Sequence, residues 1–360
     1  MKVLVALSGG VDSSVAAALL QREGFEVVGV TLRLADLSHL GLDVSRCCSP
    51  DAIASARAVA KTLGVPHYLV DSQAVFTEQV IRPFVASYLG GRTPSPCIRC
   101  NSRVKFPELL ELARTLGAEA VATGHYARVR RDGTARLCRA AEVGRDQSYF
   151  LFELVPEVLS RVYFPLGEYR KSEVREIARR LGFAAAERKD SQEVCFVPVG
   201  CSYPEVVERL APDHRPASGP IVSVRGEVVG QHSGIHRFTV GQRRGLQVSG
   251  QERRYVIAID AQHNRVVVGA REEALRRAIQ VRDVVWHEGE PAGPVRAAVQ
   301  VRSRHEPTEA VVTPQAGGRV TVAFSVPVLA PAPGQAAVFY DGDTVLGGGW
   351  IEGDGGEGGE

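Results

Sequence analysis

An N-terminal α/β domain with a parallel sheet, followed by two small β-rich domains, is the fold class that this 360-residue sequence predicts. Three observations predict it. From residue 2 to about 200, apolar β-branched runs alternate with segments of helical period, which calls for a parallel sheet covered on both faces. Beyond about residue 203 the helices thin out, and short strands bounded by Gly, Pro and Asn point to small antiparallel barrels or sandwiches. A hydrophobic share of 44% with 23% charged residues supplies packed cores and excludes a largely disordered chain.

In order, Lys2–Leu7 reads as a first strand and Asp12–Glu23 as a helix with Val15, Ala18 and Leu19 on one face. Glu26–Leu34 is a second strand. Ser49-Pro50-Asp51 is an N-cap followed by Pro at the first helical position; Ile53, Ala56, Ala60 and Leu63 follow at helical spacing and Gly64 ends the helix. His67–Asp71 and Glu119–Thr123 are further strands. Val174, Ile177, Ala178 and Leu181 mark a late helix. The β-rich half offers Ile221–Val224, Val228–Gly230, Tyr255–Asp260, Arg265–Val268, Gln280–Trp286, Arg296–Val301, Arg319–Phe324 and Ala337–Tyr340. These readings place domains at 1–203, 204–274 and 275–352, with Leu275–Ala278 as a seam and a disordered, glycine-rich tail at 353–360.

A formal charge of +2, from 43 Lys+Arg against 41 Asp+Glu, leaves partners open, since a basic patch fits inside a neutral total. No apolar run approaches the ~18 residues of a membrane span, and the glycines at 9 and 10 come too early for a signal peptide. Seven cysteines, an odd number, fit reduced thiols and a cytoplasmic location.

The first chemical signal is Ala6-Leu7-Ser8-Gly9-Gly10-Val11-Asp12-Ser13-Ser14, between a buried strand and a helix. Two glycines let consecutive N–H groups share one concavity, the helix N-terminus adds positive charge, and Ser8, Ser13 and Ser14 add hydroxyls, so the turn suits phosphate. It is not a Walker A loop, because the Gly-Lys-Ser/Thr that grips the β/γ-phosphates is missing. A tight β–α turn would need the glycines for geometry alone; the added Asp and serines favour phosphate chemistry.

The second signal is Thr93-Pro94-Ser95-Pro96-Cys97-Ile98-Arg99-Cys100-Asn101. Its prolines predict an extended loop in place of a helix. The Cys-X-X-Cys pair suits a redox dithiol, half a zinc site or part of an iron–sulfur site. Arg99 and Lys105, and Arg188 and Lys189 before Cys195, are expected to favour thiolates. Cys138 and Cys201 read as small apolar residues. On a strand, Arg296, Gln300, Arg302 and Arg304 face opposite to Val295, Ala297, Val299 and Val301, a basic stripe suited to phosphate. His232 and His236 lack ligand-spaced partners and read as hydrogen-bonded structural histidines.

Taken together, the glycine loop, Thr93–Asn101 with Lys105-Phe106, Thr123-Gly124-His125-Tyr126, Asp146-Gln147-Ser148-Tyr149, Lys189–Phe196 and His232–Leu246 resemble the bacterial tRNA-specific 2-thiouridylases of the PP-loop ATP pyrophosphatase family, in order over nearly the whole chain. The resemblance implies a reaction. ATP with Mg2+ adenylates the C2 oxygen of the wobble uridine in tRNAs for Lys, Glu and Gln, and sulfur then displaces AMP. It implies that Ala6, Leu7, Ser8, Gly9, Gly10, Val11, Asp12, Ser13, Leu32 and Gly124 hold ATP. Ser95, Pro96, Cys97, His125, Arg145, Asp146, Gln147, Arg302, Ser303 and Gln335 contact the anticodon arm. Cys195 carries a persulfide from a cysteine desulfurase or sulfur-relay protein, and Cys100 releases its sulfur, leaving a disulfide. Some family members carry Asp in place of Cys97. With Cys97, Cys100 and Cys195 together, a 4Fe-4S cluster presenting sulfide is the rival route. Cys47 and Cys48 have no assigned role.

Overall fold

The computed structural model describes residues 1–42, 49–187, 194–198, 200–214, 216–246, 248 and 253–353. The segments holding Cys47 and Cys48, Arg188 and Lys189 with the motif up to Glu193, and the tail from 354 lie outside the described residues. In chain order the elements are β1 (Lys2–Ala6), α1 (Val11–Arg22), β2 (Glu26–Arg33), α2 (Pro50–Leu63), β3 (His67–Asp71), α3 (Gln73–Phe76), α4 (Arg82–Leu89), α5 (Pro96–Cys100), α6 (Phe106–Thr115), β4 (Ala120–Ala122), β5 (Arg128–Arg130), β6 (Arg136–Cys138), α7 (Pro156–Leu159), β7 (Val162–Tyr163), α8 (Lys171–Arg180) and α9 (Tyr203–Leu210). The strands β8 (Gly219–Ser223), β9 (Val228–His232), β10 (Tyr255–Asp260), β11 (Arg265–Gly269), β12 (Leu275–Trp286), β13 (Val295–Gln300), β14 (Thr308–Gln315), β15 (Arg319–Leu329), β16 (Ala336–Asp341) and β17 (Thr344–Ile351) follow. Two compact units result: Met1–Ile81, Pro96–Cys201 and Asp343–Val345 form one, and Arg82–Ser95, Ser202–Gly342 and Leu346–Glu360 the other. Among the described residues no helix is long and apolar enough to cross a membrane.

The first unit is built on a parallel sheet of order β3-β2-β1-β4-β7. Its central strand is buried through Val3, Leu4 and Val5, as a strand covered on both faces must be. Ala17 and Leu20 of α1 and Ala56 and Ala60 of α2 pack with Val3 and Val5. Val15 and Leu19 pack instead with Val174 and Ala178 of α8. α2 begins as its sequence dictates: the Ala52 N–H donates to Ser49 Oγ at 3.1 Å, Pro50 occupies the first turn, and Gly64 closes the helix at φ 67°.

The second unit holds a four-stranded sheet, β10-β11-β8-β9, and a ring in which β12 pairs with both β15 and β17, so that β12-β15-β14-β13-β16-β17 has no open edge. Val281, Val299, Val312, Val322 and Phe339 fill the ring. Closure brings β17 against β12 so closely that a Cβ on Gly347 would lie 2.2 Å from Val285 O.

Two expectations are corrected. Thr93–Asn101 is not wholly extended: Pro96–Cys100 is α5, and a π-helical turn, Asn101–Lys105, leads into α6. Proline opens a helix without loss, because its missing N–H has no partner in the first turn anyway. The basic stripe does not form either, because β13 ends at Gln300 and the chain turns. Gln300 is buried and its amide donates to the carbonyls of Arg302 and Ser303, both at 3.1 Å. The Arg302 guanidinium donates to Leu329 O at 2.7 Å. Only Arg296 of the predicted cations lies on the strand.

Candidate active site

The order β3-β2-β1-β4-β7 reverses direction between β1 and β4, which opens a crevice at the carboxyl ends of those strands. The loop Leu7–Gly10 forms one wall and Thr123–Tyr126 the other. Gly9 adopts φ 74°, and a Cβ there would lie 2.2 Å from Ala52 O, so the loop is pressed against the first turn of α2. Ser55 Oγ donates to Gly9 O at 3.0 Å from that helix, a support the sequence reading missed. Leu7 N–H donates to Val30 O at 2.7 Å, continuing the ladder to β2, where Leu32 is buried.

The serines divide their work. The hydroxyls of Ser13 and Ser14 donate to Gly10 O at 3.1 and 2.8 Å, and Ser13 Oγ accepts from Ser8 N–H at 3.1 Å. Both are buried, so these two hydroxyls fasten the loop and are not aimed at an anion; Ser8 is the exposed one. α1 starts after Gly10 with no side chain capping its first N–H groups, the arrangement that receives phosphate oxygens. Gly124 closes the opposite wall: a Cβ there would lie 2.7 Å from both Asp12 C and Ser13 N.

Asp12, in the first turn of α1, receives two cationic hydrogen bonds. Lys171 Nζ donates to Oδ1 and Oδ2, both at 2.8 Å, and the Tyr126 hydroxyl donates to Oδ1 at 2.8 Å. Lys171 is the first residue of α8, three and seven positions before the buried Val174 and Ala178. A lysine on the apolar face of a helix is the signal the sequence carries for this pairing.

Beyond Gly124, Thr123 Oγ1 and His125 Nδ1 lie 2.7 Å apart, and the imidazole stacks on Phe106 with Phe164 at its edge. Burial, with the Lys105 ammonium nearby, holds the His125 pKa well below 6.5, so the ring is neutral. Gln147 Oε1 accepts from Tyr126 N–H at 2.8 Å and fixes this wall. Asp146 accepts from Ala140 N–H, Ser148 N–H and Ser148 Oγ at 3.0, 3.1 and 2.7 Å, so its carboxylate shapes its own loop. Arg145 ends the 3-10 turn that precedes it.

Cys97 and Cys100 lie on α5, and Asn101 anchors the π-turn by donating to Phe150 O at 3.0 Å and accepting from Lys105 Nζ at 2.8 Å. The expected activation of Cys97 is overturned. Burial, reinforced by Cys100, pushes its thiol up to about 11 despite Lys105, so Cys97 stays protonated near neutral pH. Cys195 is partly exposed beside the fully buried Phe196, whose ring packs edge-on to Phe76 at 5.8 Å. Among the described residues the cysteines are thiols, and no three His, Cys, Asp or Glu side chains converge as a metal site.

In the second unit, Gln335 Nε2 donates to Thr93 O and Pro94 O at 3.1 and 3.3 Å, fixing the strand of chain that ends at the buried Ser95. Pro96 is the next residue and opens α5. Arg302 and Ser303 occupy the turn after β13. His232 and His236 are structural: His232 Nε2 lies 3.1 Å from Asn264 O, and His236 Nε2 lies 2.8 Å from Glu208 Oε1.

Family models match in three successive parts: a tRNA methyl transferase HUP domain over residues 1–199, a tRNA methyl transferase PRC-barrel domain over 208–270, and an aminomethyltransferase beta-barrel domain over 276–351. The tRNA-specific 2-thiouridylase MnmA of Geobacter metallireducens is 48% identical over 360 residues, covering 98% of this chain and 96% of that protein. Those of Solibacter usitatus and Chloroflexus aggregans are 47% and 48% identical, over 97% of this chain and 99% and 98% of theirs. With near-half identity over almost its full length, and a nucleotide-type crevice on a parallel sheet, the chain belongs to the family of tRNA-specific 2-thiouridylases.

Proposed function

We propose that this enzyme thiolates the wobble uridine of tRNAs for Lys, Glu and Gln at C2, using ATP and a cysteine persulfide. The observation that carries the reading is the uncapped start of α1 beside Gly9 and Gly10, in the same compact unit as the Cys97–Cys100 helix and Cys195. A uracil oxygen is a poor leaving group. Its attack on the α-phosphorus of ATP expels pyrophosphate and leaves an adenylated C2 oxygen. Ala6–Ser13, Leu32 and Gly124 hold the nucleotide, the loop N–H groups of α1 face its phosphates, and Asp12 is the carboxylate at hand for magnesium. The base is extruded from its stack for this step, with His125 as a neutral ring at the wall, Ser95–Cys97 and Arg145–Gln147 on the anticodon arm, and Arg302, Ser303 and Gln335 as further tRNA contacts.

The terminal sulfur of a Cys195 persulfide, loaded by a cysteine desulfurase or relay protein, bonds to C2 as AMP leaves. Cys100 thiolate then attacks Cys195 Sγ. The S–S bond to the transferred sulfur breaks, its electron pair stays on the product sulfur, and a Cys100–Cys195 disulfide forms. A cellular thiol reduces that disulfide and resets the enzyme. Cys97, protonated with its pKa at about 11, is a bystander in this scheme.

The test is anaerobic thiolation of unmodified tRNA with ATP, Mg2+ and a persulfide donor, a cysteine desulfurase supplied with free cysteine, by metal-free and by iron-reconstituted enzyme, with nucleosides read by mass spectrometry. Equal 2-thiouridine from both supports the persulfide route, and Cys100→Ala then abolishes transfer from a persulfide donor. Product from the reconstituted enzyme alone assigns the thiols to a cluster and removes these roles.

A further inference from the structure

Three peptide units of the glycine loop are each oriented by a hydroxyl. Thr31 Oγ1, on β2, donates to Leu7 O at 2.7 Å, and Ser8 N–H donates to Ser13 Oγ at 3.1 Å, so the Leu7–Ser8 unit is held at both ends. Gly10 O accepts from the hydroxyls of Ser13 and Ser14 at 3.1 and 2.8 Å, which fixes the Gly10–Val11 unit. Between them lies the Gly9–Gly10 unit, where Ser55 Oγ of α2 donates to Gly9 O at 3.0 Å. Among the described residues no other group bonds this unit, and its Gly10 N–H has no partner. A trans peptide is planar, with its C=O and N–H opposed, so Ser55 turns Gly10 N–H away from α2. α2 follows β2 and Thr123–Tyr126 follows β4, and these two strands flank β1 on opposite sides. An N–H turned from α2 is thereby turned toward the crevice.

Reversing the Gly9–Gly10 unit requires rotation about ψ of Gly9 and φ of Gly10 alone. Both residues are glycines, so no Cβ opposes that rotation. The reversed unit would aim a carbonyl oxygen at an entering phosphate in place of a donor. We propose that Ser55 is a positioning residue for nucleotide binding: its hydroxyl holds Gly9 O against α2 and so keeps Gly10 N–H aimed at the phosphates. Ala52 and Ser55 stand three positions apart on one face of α2 and act on the same glycine. The Ala52 backbone sets how closely the loop approaches, since a Cβ on Gly9 would lie 2.2 Å from Ala52 O. The Ser55 hydroxyl sets which way the peptide faces. A donor held in advance receives an anion without first ordering the loop. The proposal rests on the adenylating reading above.

Calorimetric binding of Mg-pyrophosphate and of adenosine to the full chain tests the proposal. Alanine is the best helix former, so Ser55→Ala leaves α2 intact. It is expected to weaken pyrophosphate by about 10- to 100-fold, the range for one hydrogen bond to an anion, while adenosine changes less than about twofold. Ser55→Thr keeps a hydroxyl and is expected to restore pyrophosphate to within about threefold of wild type. Thr62→Ala removes a hydroxyl that donates to Ala58 O at 3.0 Å inside α2, and is expected to bind both probes as wild type does. Wild-type pyrophosphate affinity in Ser55→Ala overturns the proposal. So does an equal loss for pyrophosphate and adenosine, which marks a general loosening of the site. A loss shared by Ser55→Ala and Ser55→Thr overturns it too, because the hydroxyl would then not be the group that matters. Wild-type protein that binds no ATP sinks the adenylating reading, whereas ATP binding that Ser55→Ala fully retains removes this inference alone.

Discussion

Gly124→Ala places a methyl group against the start of α1, and the structure sets how far the helix must give. The added Cβ would lie 2.7 Å from Asp12 C and Ser13 N and 3.0 Å from Asp12 O, all backbone atoms. Gly124 does not have a positive φ, so the substitution acts through this contact and not through backbone strain. Ordinary van der Waals contact begins at 3.4 Å. The first turn of α1 must therefore retreat by about 0.7 Å, enough to stretch the 2.8 Å Lys171–Asp12 bonds to about 3.5 Å if Lys171 stays in place. Overpacking of this kind costs about 1–3 kcal/mol, and each kcal/mol lowers the melting temperature of a domain this size by about 2–4 °C. Displaced phosphate donors cost more in binding than in stability, roughly 10- to 100-fold in ATP affinity. Thermal denaturation and ATP titration are the assays, with Gly144→Ala, which meets nothing within 4 Å, as the control expected to stay within about 0.5 kcal/mol. Wild-type melting and wild-type ATP affinity in Gly124→Ala would refute the claim that this contact walls the crevice.

Two further outcomes follow from the titrating groups. The folded His125 has its pKa well below 6.5, so as pH falls through 6.5 the unfolded chain takes up a proton that the folded chain refuses. Stability present above that pH is lost below it, by up to about 1.4 kcal/mol per pH unit for this residue, until the folded pKa is reached. His67 and His232 shift in the same direction. Denaturant midpoints measured between pH 7.5 and 5.5 should fall, and less steeply for His125→Gln; identical slopes would remove His125 from the account. Cys97 alkylation by iodoacetamide, read by peptide mass spectrometry, should be slow at pH 7.5 and rise about tenfold per pH unit toward about 11. Rapid labelling at neutral pH would show a thiolate and return Cys97 to the candidate nucleophiles.

Much of the scaffold was legible because local rules and tertiary packing agree there. The expected strand Lys2–Leu7 is β1 at Lys2–Ala6, His67–Asp71 is reproduced, and the Ser49–Gly64 helix has the caps its residues prescribe. β17 was missed because its sequence, Thr344–Ile351, carries three consecutive glycines, which read as a turn. The glycines belong to a strand because Val285 O and Arg282 O of β12 leave no room for a Cβ at Gly347 and Gly349. α5 was missed because two prolines suggest extension, although one of them sits where a helix tolerates it.

For function, the order of residues in the chain determined the family resemblance and the phosphate-binding turn. Both depend on neighbours within a few positions, where side-chain identity and backbone geometry are set together. Only the fold decided which groups serve that turn. Lys171 stands 159 positions from Asp12, and nothing local pairs them; the packing of α8 against α1 does. The same holds for Cys97, where a nearby lysine predicted a thiolate and burial produced a thiol. Charges can be counted along a sequence, but desolvation depends on what packs around a group, and that exists only once the chain has folded.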